Sequence, residues 1–143
     1  MIAGLPTSVE IREVGPRDGL QNEETIPVAE RIALIDALSA TGLTAIEAAS
    51  FVHPKAIPPM AGSAEVMKGI TRVPGVRYRA LVPNERGALD ALECDADELE
   101  VVMSISETHN RKNINMTPDE SVQQIVELTA LAHQEDTPVE AIL

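Results

Sequence analysis

The order of apolar and polar positions changes period several times along the chain. Val9–Val14 is a β-branched run that predicts a strand, stopped by Gly15-Pro16. Pro27 fits the first turn of a helix reaching about Thr41, with Ile32, Leu34, Ile35 and Leu38 as its apolar stripe and Gly42 as its stop. Thr44–Ala49 predicts a second strand, Met60–Ile70 a helix, and Pro74-Gly75 a turn. Val76–Val82 is a third strand, Glu85–Leu92 a helix and Leu99–Ile105 a fourth strand. Thr117-Pro118-Asp119-Glu120 predicts a helix start, with Thr117 as N-cap, Pro118 at the first position and Glu120 closing a capping box. That helix runs to about His133, and Pro138–Leu143 begins a further strand-like segment.

Four strand–helix units and the start of a fifth strand, with no hairpin turn, predict a parallel β/α architecture. A doubly wound sheet and a piece of a barrel both fit the pattern. A closed eightfold barrel needs roughly 250 residues, so 143 residues supply about half. An open half-barrel leaves two strand edges unpaired and its inner face uncovered. A chain that stops within a strand reads as truncated, frameshifted or a fragment.

Composition narrows the function classes. Hydrophobic residues make up 44%, which excludes a disordered chain. One Phe, one Tyr and no Trp predict an aliphatic core and no base-stacking platform. A net charge of −12 disfavours nucleic acid and anionic membranes as partners. No apolar run approaches the ~20 residues of a membrane span, and the opening Met-Ile-Ala-Gly-Leu-Pro has no leader pattern. The lone Cys94 sits among acids, reads as an inert thiol and suits a reducing, cytoplasmic setting. Charge is segregated: six basic side chains face two acidic ones over residues 53–86, and seven acids with no base follow over residues 90–107. This predicts either solvated faces of opposite sign or a basic side open to an anionic substrate.

The candidate chemistry lies where strands end. Arg17 and Asp18 follow the first strand in a Gly-rich turn, and Glu47 ends a strand of small residues. From local spacing, Arg17-Asp18 is as readily a structural ion pair as a reactive one, and Glu47 as readily an interior ion-pair member. Arg111-Lys112-Asn113 reads as a basic turn before the capped helix, suited to phosphate or carboxylate, or as a solvated loop. His53 and His109 are single loop histidines without a partner at ligand spacing and read as surface residues.

Four segments together carry a resemblance. Ile11–Glu23 with its Arg17-Asp18-Gly19-Leu20-Gln21 centre, Ala45–Val52 with Pro54-Lys55 and Pro59-Met60, Leu81-Val82-Pro83-Asn84, and Ser106-Glu107 with Arg111–Asn115 occur in this order, each at the end of a predicted strand. The chain resembles the amino-terminal half of the hydroxymethylglutaryl-CoA lyase family, metal-dependent (β/α)8 TIM-barrel enzymes. The resemblance implies an α/β fold of about four β/α units plus the start of a fifth strand, with residues 1–143 one partial barrel domain truncated at its carboxyl end. It implies carbon–carbon cleavage of a 3-hydroxyacyl-CoA to acetyl-CoA and acetoacetate, as in leucine degradation and ketone-body formation. Related acyl-CoA lyase or synthase activities of the superfamily remain open.

The resemblance also distributes roles. Asp18 is a ligand to a divalent cation, Mg2+ or Mn2+. Arg17 stabilises enolate charge, Glu47 is a catalytic glutamate and Glu13 is placed to orient Arg17. Gln21 and Ser50 contact the acyl part, and Arg111, Lys112 and Asn113 lie where CoA docks. Glu24 and His109-Asn110 depart from the family pattern. The family's His-x-His and asparagine ligands and its cysteine loop belong to the second half of the barrel and do not occur in these 143 residues. The isolated chain is therefore expected to be inactive. A non-catalytic half-barrel that pairs with itself or with a complementary half is the alternative.

Overall fold

The computed structural model describes Gly4 and residues 6–143. The leader reading rested partly on residues 1–3 and 5, which lie outside the described residues. Five strands, β1 (Arg12–Glu13), β2 (Ala45–Ser50), β3 (Arg77–Leu81), β4 (Glu98–Val102) and β5 (Val139–Ile142), form one sheet in sequence order. Every neighbouring pair is parallel. That order decides between the two architectures. A doubly wound sheet reverses its strand order at a switch point, whereas a barrel winds steadily in one direction. This sheet is five consecutive staves of a barrel.

Helices α1 (Val28–Ser39), α2 (Ser63–Gly69), α3 (Glu85–Leu92), α4 (Glu107–Ile114) and α5 (Pro118–His133) fill the connections. On the helix side, Ile46, Ala48, Ala80, Val82, Leu99 and Val101 pack against Ile35, Val66, Met67, Ala88, Ala91 and Leu128. This layer is aliphatic, as the composition predicts. Tyr78 is its one fully buried aromatic residue among the described residues, with Phe51 partly buried against it. The Tyr78 hydroxyl is satisfied by Ser39 Oγ at 2.9 Å and by the Val73 amide at 3.0 Å.

Three differences from the sequence reading have physical causes. Only Arg12–Glu13 of the expected Val9–Val14 strand joins the ladder. Among the described residues its strand partner lies on one side only, and Val9 and Ile11 stay exposed. The segment expected as one helix over Met60–Ile70 begins with a tight 3-10 turn, Pro58–Met60, and turns at Gly62, whose φ of 76° is left-handed. Helix α4 replaces the expected loop and basic turn. Its sequence, ETHNRKNI, carries no apolar stripe, so periodicity could not reveal it. A buried amide holds it instead. The Asn110 side chain accepts from the Ser104 amide at 2.8 Å and donates to the Met116 carbonyl at 3.0 Å and Ser121 Oγ at 2.6 Å.

The α5 start is as expected. Thr117 and Glu120 exchange capping bonds across Pro118. Helix α3 is capped by Asn84, whose side chain accepts from the Gly87 amide at 3.0 Å. Gly87 fits α3 against the end of β2, since an added Cβ would lie 2.8 Å from Pro83 Cδ and 2.9 Å from the Phe51 carbonyl oxygen. Gly87→Ala gains helix propensity of about 1 kcal/mol at most. Overpacking against a fixed backbone carbonyl costs about 1–3 kcal/mol. The expected result is a net loss of stability, read as a lower urea midpoint; a midpoint equal to or above wild type would refute the tight fit.

Candidate active site

The carboxyl ends of the strands carry the polar side chains. After β1 the chain closes a tight π-type turn, Gly15–Gly19, in which the amides of Arg17 and Asp18 both return to the Val14 carbonyl, at 3.1 and 2.7 Å. Pro16 is buried in this turn. The turn aims Arg17 back over the sheet. Its Nε donates to Glu47 Oε1 in a close ion pair, and its Nη1 donates to Asp18 Oδ1 at 3.0 Å. Gln21 Nε2 donates to the same Asp18 oxygen at 2.8 Å. Arg17 is mostly buried, Glu47 fully so, and the Asp18 carboxylate is 55% exposed. Arg17 is thus anchored on two edges of its guanidinium, and its Nη2 has no partner among the described residues.

Glu47 is positioned by a bulge. It pairs with Arg79, but Ala49 pairs with Ala80, so Ala48 is the extra residue. The shift returns Ser50, opposite Leu81, to the face that carries Glu47. Ser50 is itself buried, and its carbonyl accepts from Ser63 Oγ at 2.7 Å, which ties β2 to the start of α2.

A cleft of about 640 Å³ opens over these ends. Arg17, Gln21, His53, Asn84, Asn113 and Gln124 give it polar groups; Val52, Ile57, Leu81 and Met116 give it apolar wall. The expected residues divide accordingly. Arg17, Asp18, Gln21 and Glu47 form one connected network, and Arg17, Gln21 and Asn113 line the cleft. Glu13 does not orient Arg17: its Oε1 accepts from the Gly15 amide at 2.6 Å, and the orienting carboxylate is Glu47. Arg111 pairs with Glu107 along exposed α4 at 3.1 Å, and Arg111 and Lys112 are not among the cleft-lining residues. Asn84 lies in the Leu81–Asn84 segment that carried the resemblance but was given no site role, and Gln124, inside α5, gave no sequence signal. His53 was read as a surface residue; it is exposed, but at the cleft.

The inner face of the sheet holds a charged layer. Arg79 bonds Glu98 at 2.8 Å, lies 3.0 Å from Glu100, and closely pairs with Glu140. Arg12 closely pairs with Glu100 and bonds Glu140 at 2.8 Å. Arg72–Asp97 and Arg86–Asp90, each 3.0 Å apart, neutralise further charge. The two segments are mostly solvated, as one of the two readings expects: of the six bases only Arg79 is buried and of the seven acids only Glu100, while Arg72, Arg77, Arg79 and Arg86 pair with acids of the following segment and leave no free basic side. The alternation Arg77-x-Arg79 beside Glu98-x-Glu100 was the available signal, since period two places these pairs on one face.

Among the described residues no three His, Cys, Asp or Glu side chains come together as a metal site. Asp18 offers one carboxylate, whereas a divalent cation bound by oxygen needs about six ligands. The residues of this chain do not by themselves make the implied metal centre. Burial raises the Cys94 thiol above its ordinary value, in keeping with an inert core cysteine. No helix among the described residues is long and apolar enough to cross a membrane.

A steadily wound parallel sheet with its polar cleft at the strands' carboxyl ends defines the β/α-barrel class of fold. The HMGL-like family model matches residues 8–142, and the chain belongs to that family. Hydroxymethylglutaryl-CoA lyase YngG of Bacillus subtilis is 50% identical over 139 residues, covering 96% of this chain and 46% of the relative. A crystal structure of the B. subtilis HMG-CoA lyase superposes with a TM-score of 0.92 at 50% identity, covering 95% of this chain and 46% of that one. An HMG-CoA lyase from Acinetobacter baumannii, solved with coenzyme A and 3-methylmalate, gives a TM-score of 0.87 at 44% identity over 92% of this chain and 43% of that one. The chain spans about half the length of the relatives it matches.

Proposed function

We propose that this chain is the amino-terminal half of a carbon–carbon lyase that cleaves 3-hydroxy-3-methylglutaryl-CoA to acetyl-CoA and acetoacetate. The observation that carries the reading is the Arg17–Glu47 pair, buried at the mouth of the barrel beside Asp18 and Gln21. In the reaction the 3-hydroxyl loses its proton, the C2–C3 bond breaks, and its electron pair passes to the thioester as an enolate. The enolate carbon then takes a proton to give acetyl-CoA. Glu47 and Asp18 hold the guanidinium plane, and its free edge receives the thioester oxygen as negative charge develops there. Glu47 is the catalytic glutamate in this reading, and Glu13 supports the turn that carries Arg17. Gln21 and Ser50 serve the acyl side, Asn113 faces the CoA chain, and Arg111 and Lys112 serve its phosphates from outside the cleft. Asp18 would contribute one carboxylate to a Mg2+ or Mn2+ centre completed from outside this chain. The location is cytoplasmic, in keeping with a single buried thiol.

A second reading has its own observation. Among the described residues neither sheet edge, β1 nor β5, has an outer partner, and Val9, Ile11 and Leu143 are exposed beside them. A half-barrel of this kind pairs with a complementary half or with itself.

The test is complementation. The chain is assayed for acyl-CoA cleavage with Mg2+, alone and coexpressed with the carboxyl-terminal half of the B. subtilis relative. Cleavage only by the completed barrel is expected. Turnover by the chain alone would overturn the incompleteness. A completed barrel that assembles but cleaves nothing would leave the pairing reading in place of the lyase.

A further inference from the structure

Arg31 is in none of the roles above. It lies in the first turn of α1 and is almost wholly buried. Of its guanidinium nitrogens only Nη1 has a partner, the Ala61 carbonyl at 2.7 Å. Nε and Nη2 are buried with none among the described residues. No carboxylate offsets its charge there, and burial pulls its pKa below the ordinary value. For the packing of α1 this is an unfavourable side chain. A charge and two donors leave water for one hydrogen bond, and an apolar residue of similar length serves as well or better. The bond itself has another use. Ala61 lies at the end of the connection from β2 to α2, and that connection is one wall of the cleft: Val52, His53, Ala56 and Ile57 line it together with Arg17. Short turns join these residues to Ala61 step by step. The Ala61 amide returns to the Pro58 carbonyl at 3.0 Å and the Met60 amide to Ile57 at 3.0 Å. The Ala56 and Ile57 amides return to the His53 carbonyl at 2.8 and 3.4 Å, and the Lys55 amide donates to His53 Nδ1 at 3.2 Å. His53 is left with Nε2 as its donor. Two side chains pin the far end of this relay: Ser63 Oγ donates to the Met60 carbonyl at 2.8 Å, and Arg31 holds Ala61. The connection runs tightly over α1 here, since a Cβ on Gly62 would lie 2.7 Å from Val28 Cγ2.

We propose that Arg31 is a positioning residue for the cleft: through the Ala61 carbonyl it fixes the β2–α2 connection, and with it the place of His53 and Ile57 beside the substrate. The pinning is read from this chain alone, and its meaning for the acyl-CoA rests on the lyase reading. His53 and Ile57 meet the substrate as wall, away from the oxygen where Arg17 receives developing charge. Loss of the pin therefore weakens binding more than chemistry. Folding and positioning also separate at this residue. In Arg31→Met, α1 keeps an apolar stem and loses two unmet donors, while Ala61 is an exposed residue whose carbonyl water can serve. In Arg31→Lys, one donor still reaches the Ala61 oxygen and only the unmet ones are lost.

The first test needs no turnover. Amide hydrogen exchange is followed in the chain itself, in wild type, Arg31→Met and Arg31→Lys. In Arg31→Met the amides of Lys55, Ala56, Met60 and Ala61 are expected to exchange faster by about tenfold or more. The amides of β2 are expected to exchange as in wild type, and the urea midpoint to stay level or rise. Arg31→Lys is expected to bring the four amides back toward wild type. In the completed barrel, Arg31→Met is expected to raise KM for the acyl-CoA by about three- to tenfold with kcat changed less than about twofold, and Arg31→Lys to restore it. Four amides that exchange as in wild type in Arg31→Met overturn the proposal. So does a chain that unfolds or speeds throughout β2, because Arg31 then holds the fold and not the wall. An Arg31→Lys chain no different from Arg31→Met, or a freed connection with an unchanged KM, overturns it as well. A completed barrel without acyl-CoA cleavage would sink the lyase reading and leave the exchange pattern as it is, so the two failures are distinguishable.

Discussion

Arg17→Lys, in the chain completed to a full barrel, is expected to lower kcat by about 10²–10³ with little change in KM, the loss typical of a removed preorganised donor. Arg17 uses Nε on Glu47 and Nη1 on Asp18, which fixes the plane of the guanidinium and leaves its other edge for the thioester oxygen. Lysine keeps the charge but is a single flexible point donor. It can satisfy Glu47 or follow charge onto the enolate, not both in one geometry. The lost contact is made mainly in the transition state, so kcat and kcat/KM fall together. Steady-state kinetics at saturating Mg2+ separate the outcomes. A near-normal kcat with a raised KM would make Arg17 a substrate-binding residue and defeat the mechanism.

Legibility in the sequence followed the reach of each signal. The helices with local signals were readable: the Thr117-Pro118-Asp119-Glu120 start of α5 lies within one turn, and α3 spans Glu85–Leu92 in both readings. The strands were readable to within a few residues because their apolar outward positions alternate with other residues. Helix α4 was not, since the bond network around Asn110 spans Ser104 to Ser121 and leaves no periodic trace. At the site, Arg17 and Glu47 were each singled out, but their contact was not, because it joins residues 30 apart through the turn after β1 and the bulge in β2. Glu13 looked equally suitable for orienting Arg17. Its position two residues before Gly15 lets it reach a nearer backbone amide first. The inner charged layer was not legible for a different reason. Runs of one sign read as surfaces, which holds for most of their residues, but parallel pairing sets Arg79 of β3 opposite Glu98 of β4 and turns these inward. That register is a property of the sheet, not of either segment.

Arg79→Met is expected to cost about 3–5 kcal/mol of stability at neutral pH, the range for breaking a buried ion pair from one side. Arg79 is almost wholly buried and serves three carboxylates, Glu98, Glu100 and Glu140, from neighbouring strands. Its removal leaves Arg12 to serve Glu100 and Glu140, and Arg77 to serve Glu98 from 3.7 Å. The Arg79 Nε is buried without a partner among the described residues, so methionine also relieves one unmet donor, and this offsets part of the loss. Carboxylates crowded without their cation take up protons, and the deficit against wild type should shrink as pH falls toward about 4–5. Pairing the change with Glu100→Leu should recover stability beyond the sum of the two single effects, because each removes the other's uncompensated charge. An apolar pair in place of a buried ionic one is often neutral or better. Urea midpoints of wild type, both single variants and the double, at acid and neutral pH, close this cycle. If Arg79→Met lies within about 0.5 kcal/mol of wild type at neutral pH, or if the two changes simply add, the inner layer is solvated in the folded chain and its ion pairs do not hold the sheet.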